Sequence, residues 1–114
     1  MGYLTRYTLP LISPIDRRDA FRTWLVDRCD VSLEILDGQE RAAWYDHDID
    51  VVAAMRATGV TGVLLHAIGE DPHDAPIDKQ FTQGVDDTIT LYRYKYAMVR
   101  DIEPYKTELF HINR

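Results

Sequence analysis

The stretch from residue 44 to residue 71, WYDHDIDVVAAMRATGVTGVLLHAIGED, constrains the fold more than any other. Asp46 is a favourable N-cap for an apolar-periodic run that ends at Gly59, and glycine is the usual residue where a helix ends in a left-handed conformation. Residues 60–68 follow as an aliphatic segment interrupted by His66, which is typical of an interior strand. The stretch therefore predicts one helix that leads directly into one buried strand.

Length and composition indicate a single domain, residues 1–114, with its own core. The chain has 46% hydrophobic and 28% charged residues, close to globular averages. Its net charge of −6 disfavours binding to nucleic acid or an anionic membrane, because phosphate contacts need clustered lysine and arginine. The single cysteine, Cys29, cannot form an internal disulfide, and no apolar run has membrane-spanning length. We therefore expect a cytoplasmic protein.

A strand and a helix are predicted before the central unit. Residues 3–11 are rich in tyrosine, threonine and leucine, and Pro10 is expected to stop the strand because it has no N–H to donate. Ser13 is the predicted N-cap of a helix that runs to about Arg28. The apolar residues at helical spacing in this segment are Phe21, Trp24, Leu25 and Cys29.

A hairpin is predicted between the two helices. Residues 31–36 alternate apolar and polar side chains, as a half-buried strand does. Asp37-Gly38 then favours a tight turn, since a type I′ turn needs positive φ at both central residues. Residues 39–44 are the predicted returning strand.

Strands dominate the remainder of the prediction. Residues 69–76 form a proline-bearing loop, residues 78–83 a short edge strand, and residues 87–100 a long strand; the tail after Pro104 either docks or frays. The predicted order is βαββαβββ. It favours an α+β fold, specifically a ferredoxin-like sandwich in which two helices cover one face of an antiparallel sheet of four to five strands.

A row of tyrosines, Tyr92, Tyr94 and Tyr96, lies on one face of the strand predicted at residues 87–100. Arg93 and Lys95 fall on the opposite face, so the favoured interpretation turns the tyrosines toward the core. The alternative is an exposed aromatic platform for a protein or a base.

Acids and an imidazole cluster at the start of the second helix, at Asp46, His47, Asp48 and Asp50. Oxygen and imidazole ligands suit a divalent metal. However, only residues three or four apart share a helix face, so Asp46 and Asp50 could converge with His47 beside them at best. The favoured interpretation is that the acids cap the helix and complement the positive end of its dipole. A metal site at Asp46, His47 and Asp50 is the alternative.

The remaining candidate residues give weaker indications of a metal site or of catalysis. A loop site at Glu70, Asp71, His73 and Asp74 lacks the ligand spacing and turn glycine of an EF-hand. Cys29 lies late in its helix, where activation of a thiol is not expected, and we predict a buried cysteine. His66 is expected to be hydrogen-bonded within the core or at its rim. No cofactor and no catalytic residue are predicted.

The central stretch and the following DKQFTQG resemble a group of small, mostly uncharacterised bacteriophage proteins. The similarity covers about 40 of the 114 residues. The positions that carry it are Trp44, Tyr45, Asp46, His47, Asp48, Asp50, Gly69, Glu70, Phe81 and Gly84. The insert PHDAP departs from the pattern, since relatives continue here with a tryptophan-bearing segment. The resemblance implies a compact α+β domain made by a phage to act on host machinery, and it supplies no catalytic residues.

A non-enzymatic binding protein is the leading functional prediction, with a host protein or a second copy of the chain as its partner. The residues expected to contact a partner are Glu70, Asp71, His73, Asp74, Arg93 and Lys95. The alternative is a small metal-dependent hydrolase or nucleotide-binding enzyme that uses Asp46, His47 and Asp50.

Overall fold

The computed structural model describes residues 4–96 and 100–111. Tyr3 and Met98, which were assigned to predicted strands, and the last three residues of the tail lie outside the described residues. The strands are β1 (Thr5–Ser13), β2 (Gly62–Gly69), β3 (Ile77–Gln83), β4 (Ile89–Lys95) and β5 (Lys106–Phe110). The helices are α1 (Arg18–Arg28), α2 (Leu33–Leu36) and α3 (His47–Thr58), with a 3₁₀ turn at Ile15–Arg17 before α1.

The five strands form one antiparallel sheet in the order β1-β2-β3-β4-β5. Strands that follow one another in sequence are therefore neighbours, and β1 and β5 are the edges. The α+β class and the antiparallel sheet are as predicted. The ferredoxin-like arrangement is not confirmed, because α1, α2 and α3 all fall between β1 and β2 and no helix separates the later strands.

β1 continues past Pro10 to Ser13, contrary to the prediction. The pairing of β1 with β2 shifts register between Thr8 and Leu11, so Pro10 lies in an irregular part of the ladder on an edge strand. A residue without an N–H is tolerated at such positions. Because the strand runs on to Ser13, the helix starts later than predicted, after the 3₁₀ turn.

The predicted hairpin at residues 31–44 is wrong. Ser32 is the N-cap of α2, where its hydroxyl accepts a hydrogen bond from the Ile35 N–H at 3.2 Å. Gly38, with φ of +76°, follows the end of that helix instead of forming a hairpin turn. Of the predicted returning strand, only Ala42 makes a bridge, to Thr5.

Two further strands differ in position from the prediction. β3 was expected at an edge, but it lies in the centre of the sheet with β2 and β4 on either side. The tail forms β5, which becomes the edge in its place by pairing with β4. The tail therefore docks.

The core lies between the three helices and one face of the sheet. Phe21 and Leu25 of α1 are fully buried, which confirms the predicted inner face of that helix. In α3 the helical spacing predicts an inner stripe of Ile49, Val52, Ala53 and either Met55 or Arg56, and this is only partly correct, since Ile49 is 63% exposed. The buried residues of α3 are Val51, Val52, Ala54 and Met55.

The tyrosine row does not face this core. Ile89, Leu91 and Arg93 are the buried residues of β4, whereas Tyr92 and Tyr94 lie half-buried on the other face. The inward orientation predicted for the tyrosines is therefore wrong, and it is an arginine that lies on the core side. No helix among the described residues is long and apolar enough to cross a membrane.

Candidate functional site

A cavity of about 390 Å³ opens beside the first turn of α3; we call it the Lys79 cavity. Tyr7 of β1, Ala67 of β2, and Ile77 and Lys79 of β3 line it from the sheet. His47, the first residue of α3, and Lys95, the last of β4, also line it. The loop after β2 contributes His73, Asp74 and Ala75.

Strand register places these side chains together. Lys79 pairs with Leu65 on β2 and with Arg93 on β4, and Ile77 pairs with Ala67 and Lys95. Paired residues point to the same side of a sheet, so the row Leu65, Lys79, Arg93 lies on the face that the helices cover. α3 begins at His47, so its first turn covers this row. The next row, Ala67, Ile77 and Lys95, has no helix over it and is accessible.

His47 is held in one tautomer. Its Nδ1 lies 2.8 Å from the carbonyl oxygen of Trp44, and its Nε2 lies 2.6 Å from Lys79 Nζ. A carbonyl oxygen can only accept, so Nδ1 carries the proton and donates, and Nε2 accepts from Lys79. Burial, followed by the charge of Lys79, lowers the pKa of His47, so the imidazole is neutral at pH 7.

Asp48 joins two cations across the sheet. Its Oδ1 accepts from Lys79 Nζ at 2.9 Å, and its Oδ2 accepts from Arg93 Nη2 at 2.7 Å. The same Nη2 donates to Glu108 Oε1 at 2.7 Å. The group of Lys79, Asp48, Arg93 and Glu108 is a continuous ionic network, and two cations balance two anions within it.

The pKa shifts of Asp48, Lys79 and Arg93 reflect two opposing effects: burial disfavours the charged form of each side chain, and its ionic partners favour that form. Burial by itself raises the pKa of Asp48, but the hydrogen bond and charge of Lys79 outweigh it and hold this pKa below the ordinary value. For Lys79 burial is the larger effect and lowers the pKa, although Asp48 opposes it. Burial also disfavours the charged form of Arg93, but hydrogen bonds to Glu108 and Asp48 outweigh it and raise the pKa.

The capping interpretation of the helix-start acids is corrected by these contacts. Asp46 occupies the N-cap position, yet its side chain makes no capping hydrogen bond. Asp48 points to Lys79 and Arg93, and Asp50 accepts from Trp44 Nε1 at 2.7 Å. The expected capping hydrogen bond is therefore absent, although Asp48 and Asp50 lie in the first turn of the helix, where an acid complements the positive end of the dipole.

The alternative metal site is not assembled either. Asp46 and Asp50 line a second cavity together with Cys29, whereas His47 lines the Lys79 cavity. Within residues 4–96 and 100–111, no group of three or more His, Cys, Asp or Glu side chains could hold a metal ion. Burial, and then the charge of Asp50, raises the pKa of the Cys29 thiol to about 11. This thiol is half-buried, not part of the fully buried core.

The predicted partner-binding residues separate into three groups. His73, Asp74 and Lys95 line the Lys79 cavity. Glu70 and Asp71 are exposed in the loop between β2 and β3. Arg93 is buried, with 9% of its side chain exposed, and holds Asp48 and Glu108.

His66 is hydrogen-bonded, as expected, on the face of the sheet that the helices leave uncovered. Its Nδ1 donates to Asp78 Oδ1 at 2.7 Å, and the hydroxyl of Tyr96 donates to Asp78 Oδ2 at 2.7 Å. The carboxylate of Asp78 is buried beneath these two rings.

Sequence reasoning missed Lys79, Tyr7 and Glu108. A signal for Lys79 was present: Ile77, Lys79 and Phe81 alternate along one strand, so a lysine shares a face with two apolar residues. Nothing local identifies Glu108, because its partner Arg93 lies on another strand. A comparison with family models, with curated proteins and with solved structures finds no match to this chain.

Proposed function

We propose that the protein is a non-enzymatic binding protein and that its ligand is a small organic acid held in the Lys79 cavity. The observation that carries the proposal is a concave site with apolar walls and a few convergent polar groups, which is the usual form of a small-molecule site. Ala67, Ala75 and Ile77 supply apolar walls, and His47 and Lys79 supply polar groups with perturbed pKa values.

Lys95 favours an acid over a neutral ligand. Asp48 neutralises Lys79, but in the described part of the chain Lys95 makes a cation–π contact with Tyr105, at 4.5 Å from the ring centre, and no ion pair. An anionic group near Lys95 gains a charge attraction that no carboxylate within residues 4–96 and 100–111 already supplies. The hydrocarbon part of the ligand then packs on the apolar walls.

The test is binding of para-(hydroxymethyl)benzoate, followed by amide chemical shifts in NMR. Ala67→Leu fills the cavity from β2, and Ala57→Leu makes the same change at an exposed position of α3. We expect the first variant to lose binding and the second to keep it. Lys95→Met should weaken binding about fivefold or more, and Lys106→Met, at an exposed position of β5, should not. Equal binding by the two alanine variants, or shifts that map elsewhere, would exclude this cavity as the site.

A second candidate function is the one that the phage resemblance implied: binding of a host protein or of a second copy of the chain. It is favoured by the loop between β2 and β3, where residues 70–75 are exposed and two of them border the cavity. A partner that contacts this loop would also cover the cavity. The measurement is recovery of partners from a bacterial lysate, and the mass in light scattering, with charges reversed at Glu70, Asp71 and Asp74. Unchanged recovery and unchanged mass would remove the loop from the interaction.

A further inference from the structure

Nucleophilic or basic chemistry is available at Cys29 and Lys79, which line cavities, and at His66 on the uncovered face of the sheet. The thiol pKa of about 11 leaves Cys29 protonated at neutral pH. The partners of His66 on the uncovered sheet face are Asp78, through a hydrogen bond, and the Tyr96 ring, and neither is an activated nucleophile. Lys79 alone of these three combines a cavity, an amine and an adjacent base.

We propose that Lys79 is a nucleophilic amine and that the ligand of the Lys79 cavity carries an aldehyde or ketone group, which condenses with Lys79 Nζ to form an imine. This inference rests on the proposed function, because it uses the same cavity and gives the chemical class of its ligand.

The contacts of Nζ leave one of its directions for a ligand. An amine nitrogen has three directions besides its bond to carbon, and Lys79 uses two of them, toward His47 Nε2 at 2.6 Å and Asp48 Oδ1 at 2.9 Å. Both neighbours are acceptors, so both directions hold hydrogens. The third direction holds a proton in the ammonium form and the lone pair in the neutral amine.

The proton has a defined destination. His47 Nε2 is unprotonated, because Nδ1 donates to Trp44, so Nε2 can take the proton that Lys79 donates to it. Rotation of the amine about its Cε–Nζ bond then turns the lone pair toward the cavity. The resulting imidazolium lies 3.3 Å from Asp48 Oδ1, which stabilises its charge. The neutral amine attacks the carbonyl carbon, and the carbonyl oxygen takes the proton back from His47. Transfer of a second proton from nitrogen to that oxygen releases water, so the ammonium form of Lys79 and the carbonyl give a protonated imine and water with no change of oxidation state. Asp48, which already pairs with Lys79, balances the charge of that imine.

The surroundings make Lys79 easier to deprotonate than an exposed lysine. Only 12% of the Lys79 side chain is exposed, and burial lowers its pKa. Arg93 binds the second oxygen of Asp48 and so takes part of the charge that would hold Lys79 as an ammonium. Desolvation of this kind is how lysine nucleophiles are activated.

The residues that line the cavity also restrict the chemical class of the ligand. Ala67, Ala75 and Ile77 provide room and apolar contact next to the amine. Lys95, which forms no ion pair with any residue that the structure describes, provides a cation on the next strand. A carbonyl compound with a hydrophobic body and a carboxylate satisfies all three features. This class includes aromatic aldehyde acids and hydrophobic keto acids.

The test is reductive trapping of para-carboxybenzaldehyde with cyanoborohydride at pH 7, with each labelled lysine located by peptide mass spectrometry. The chain has three lysines, and exposed Lys106, which does not line the cavity, is a control within the same sample. We expect Lys79 to label about tenfold faster than Lys106, since only the neutral amine reacts. His47→Gln should lower the Lys79 rate about tenfold and leave Lys106 unchanged, and Lys79→Arg should remove that label.

The outcomes separate the two proposals. If para-(hydroxymethyl)benzoate binds the cavity but Lys79 labels no faster than Lys106, the imine inference is refuted and the binding function stands. If the benzoate does not bind and Lys79 shows no preference, both are refuted. Circular dichroism shows whether His47→Gln is folded, so a loss of the Lys79 preference in a folded variant supports the role given to His47.

Discussion

Replacing Asp48 by asparagine tests whether the ionic network, and not helix capping, is what this carboxylate provides. The substitution keeps the size of the side chain and removes its charge. Lys79 and Arg93, with 12% and 9% of their side chains exposed, would each lose an anionic partner. Removing one member of a buried ion pair costs about 3–5 kcal/mol, because a charge is left without compensation.

The cost here should be smaller than that range. Asp48 is itself 21% exposed, so water screens part of the lost interaction. Arg93 keeps Glu108, and Lys79 keeps its hydrogen bond to His47. We therefore expect the free energy of unfolding to fall by about 2–3 kcal/mol. For a chain of this length that corresponds to a melting temperature lower by roughly 8–12 °C.

Urea unfolding of Asp48→Asn and Asp46→Asn, followed by fluorescence and circular dichroism, measures the difference. Asp46 is the matched control, since it is the neighbouring acid at the N-cap and makes no capping hydrogen bond. Its substitution should cost less than about 0.5 kcal/mol. The penalty at Asp48 should also persist in about 1 M salt, because buried pairs are screened little. If Asp48→Asn costs no more than the control, the network does not hold the fold.

Three further predictions concern other parts of the fold. Burial lowers the pKa of His47 in the folded protein, so as the pH falls the imidazole is protonated first in the unfolded chain. Stability therefore decreases below about pH 6.5. In His47→Gln the urea midpoint should fall less between pH 7.5 and pH 5.5 than it does in the unaltered protein. Gly38→Ala should destabilise more than Gly59→Ala: both have positive φ, but only at Gly38 would a Cβ lie 2.7 Å from a side-chain carbon of β1. We expect roughly 1 kcal/mol at Gly59 and clearly more at Gly38 by calorimetry, and equal losses would contradict the contact. Asp50→Ala should cost about 1–2 kcal/mol in urea unfolding by leaving the buried Trp44 N–H without its acceptor, and an unchanged midpoint would show that this bond contributes nothing.

The parts of the fold that the sequence predicted are those with strong local signals. α3 ends at Gly59 in a left-handed conformation with φ of 75°, and β2 follows within three residues. The apolar spacing of α1 likewise identified Phe21 and Leu25 as core residues. A cap, a periodic face and a terminating glycine all act within a few residues, so they can be recognised without knowledge of the partners.

Residues 31–36 were mispredicted because their local signals are compatible with two structures. Val31, Leu33 and Ile35 alternate with polar residues as in a strand. The same segment has Ser32 at a position where it caps a single helical turn, and Leu36 of that turn is fully buried. A segment this short contains too few periods to separate the alternatives, so tertiary packing decides between them.

The face of β4 could not be predicted from its own alternation. Tyr92 and Tyr94 lie on one face of the strand, and Leu91 and Arg93 lie on the other. From composition alone, the face that carries the arginine would be assigned to solvent. Arg93 lies inward because Asp48, 45 residues earlier in the chain, and Glu108, 15 residues later, both reach its guanidinium. An arginine turned into a core without such partners would be strongly destabilising, so the orientation of the strand depends on pairs that no local pattern contains.

The candidate site follows from the same pairing. Lys79 and Arg93 occupy a row of the sheet that would otherwise be apolar core, and Asp48, projecting from the first turn of α3, neutralises both. Because that turn is the end of the helix, the next row, with Ala67, Ile77 and Lys95, has no helix above it and borders open space. A helix that started one turn earlier would cover these residues and leave no room for a ligand. The position of the α3 start therefore determines both the charge balance of the network and the existence of the cavity.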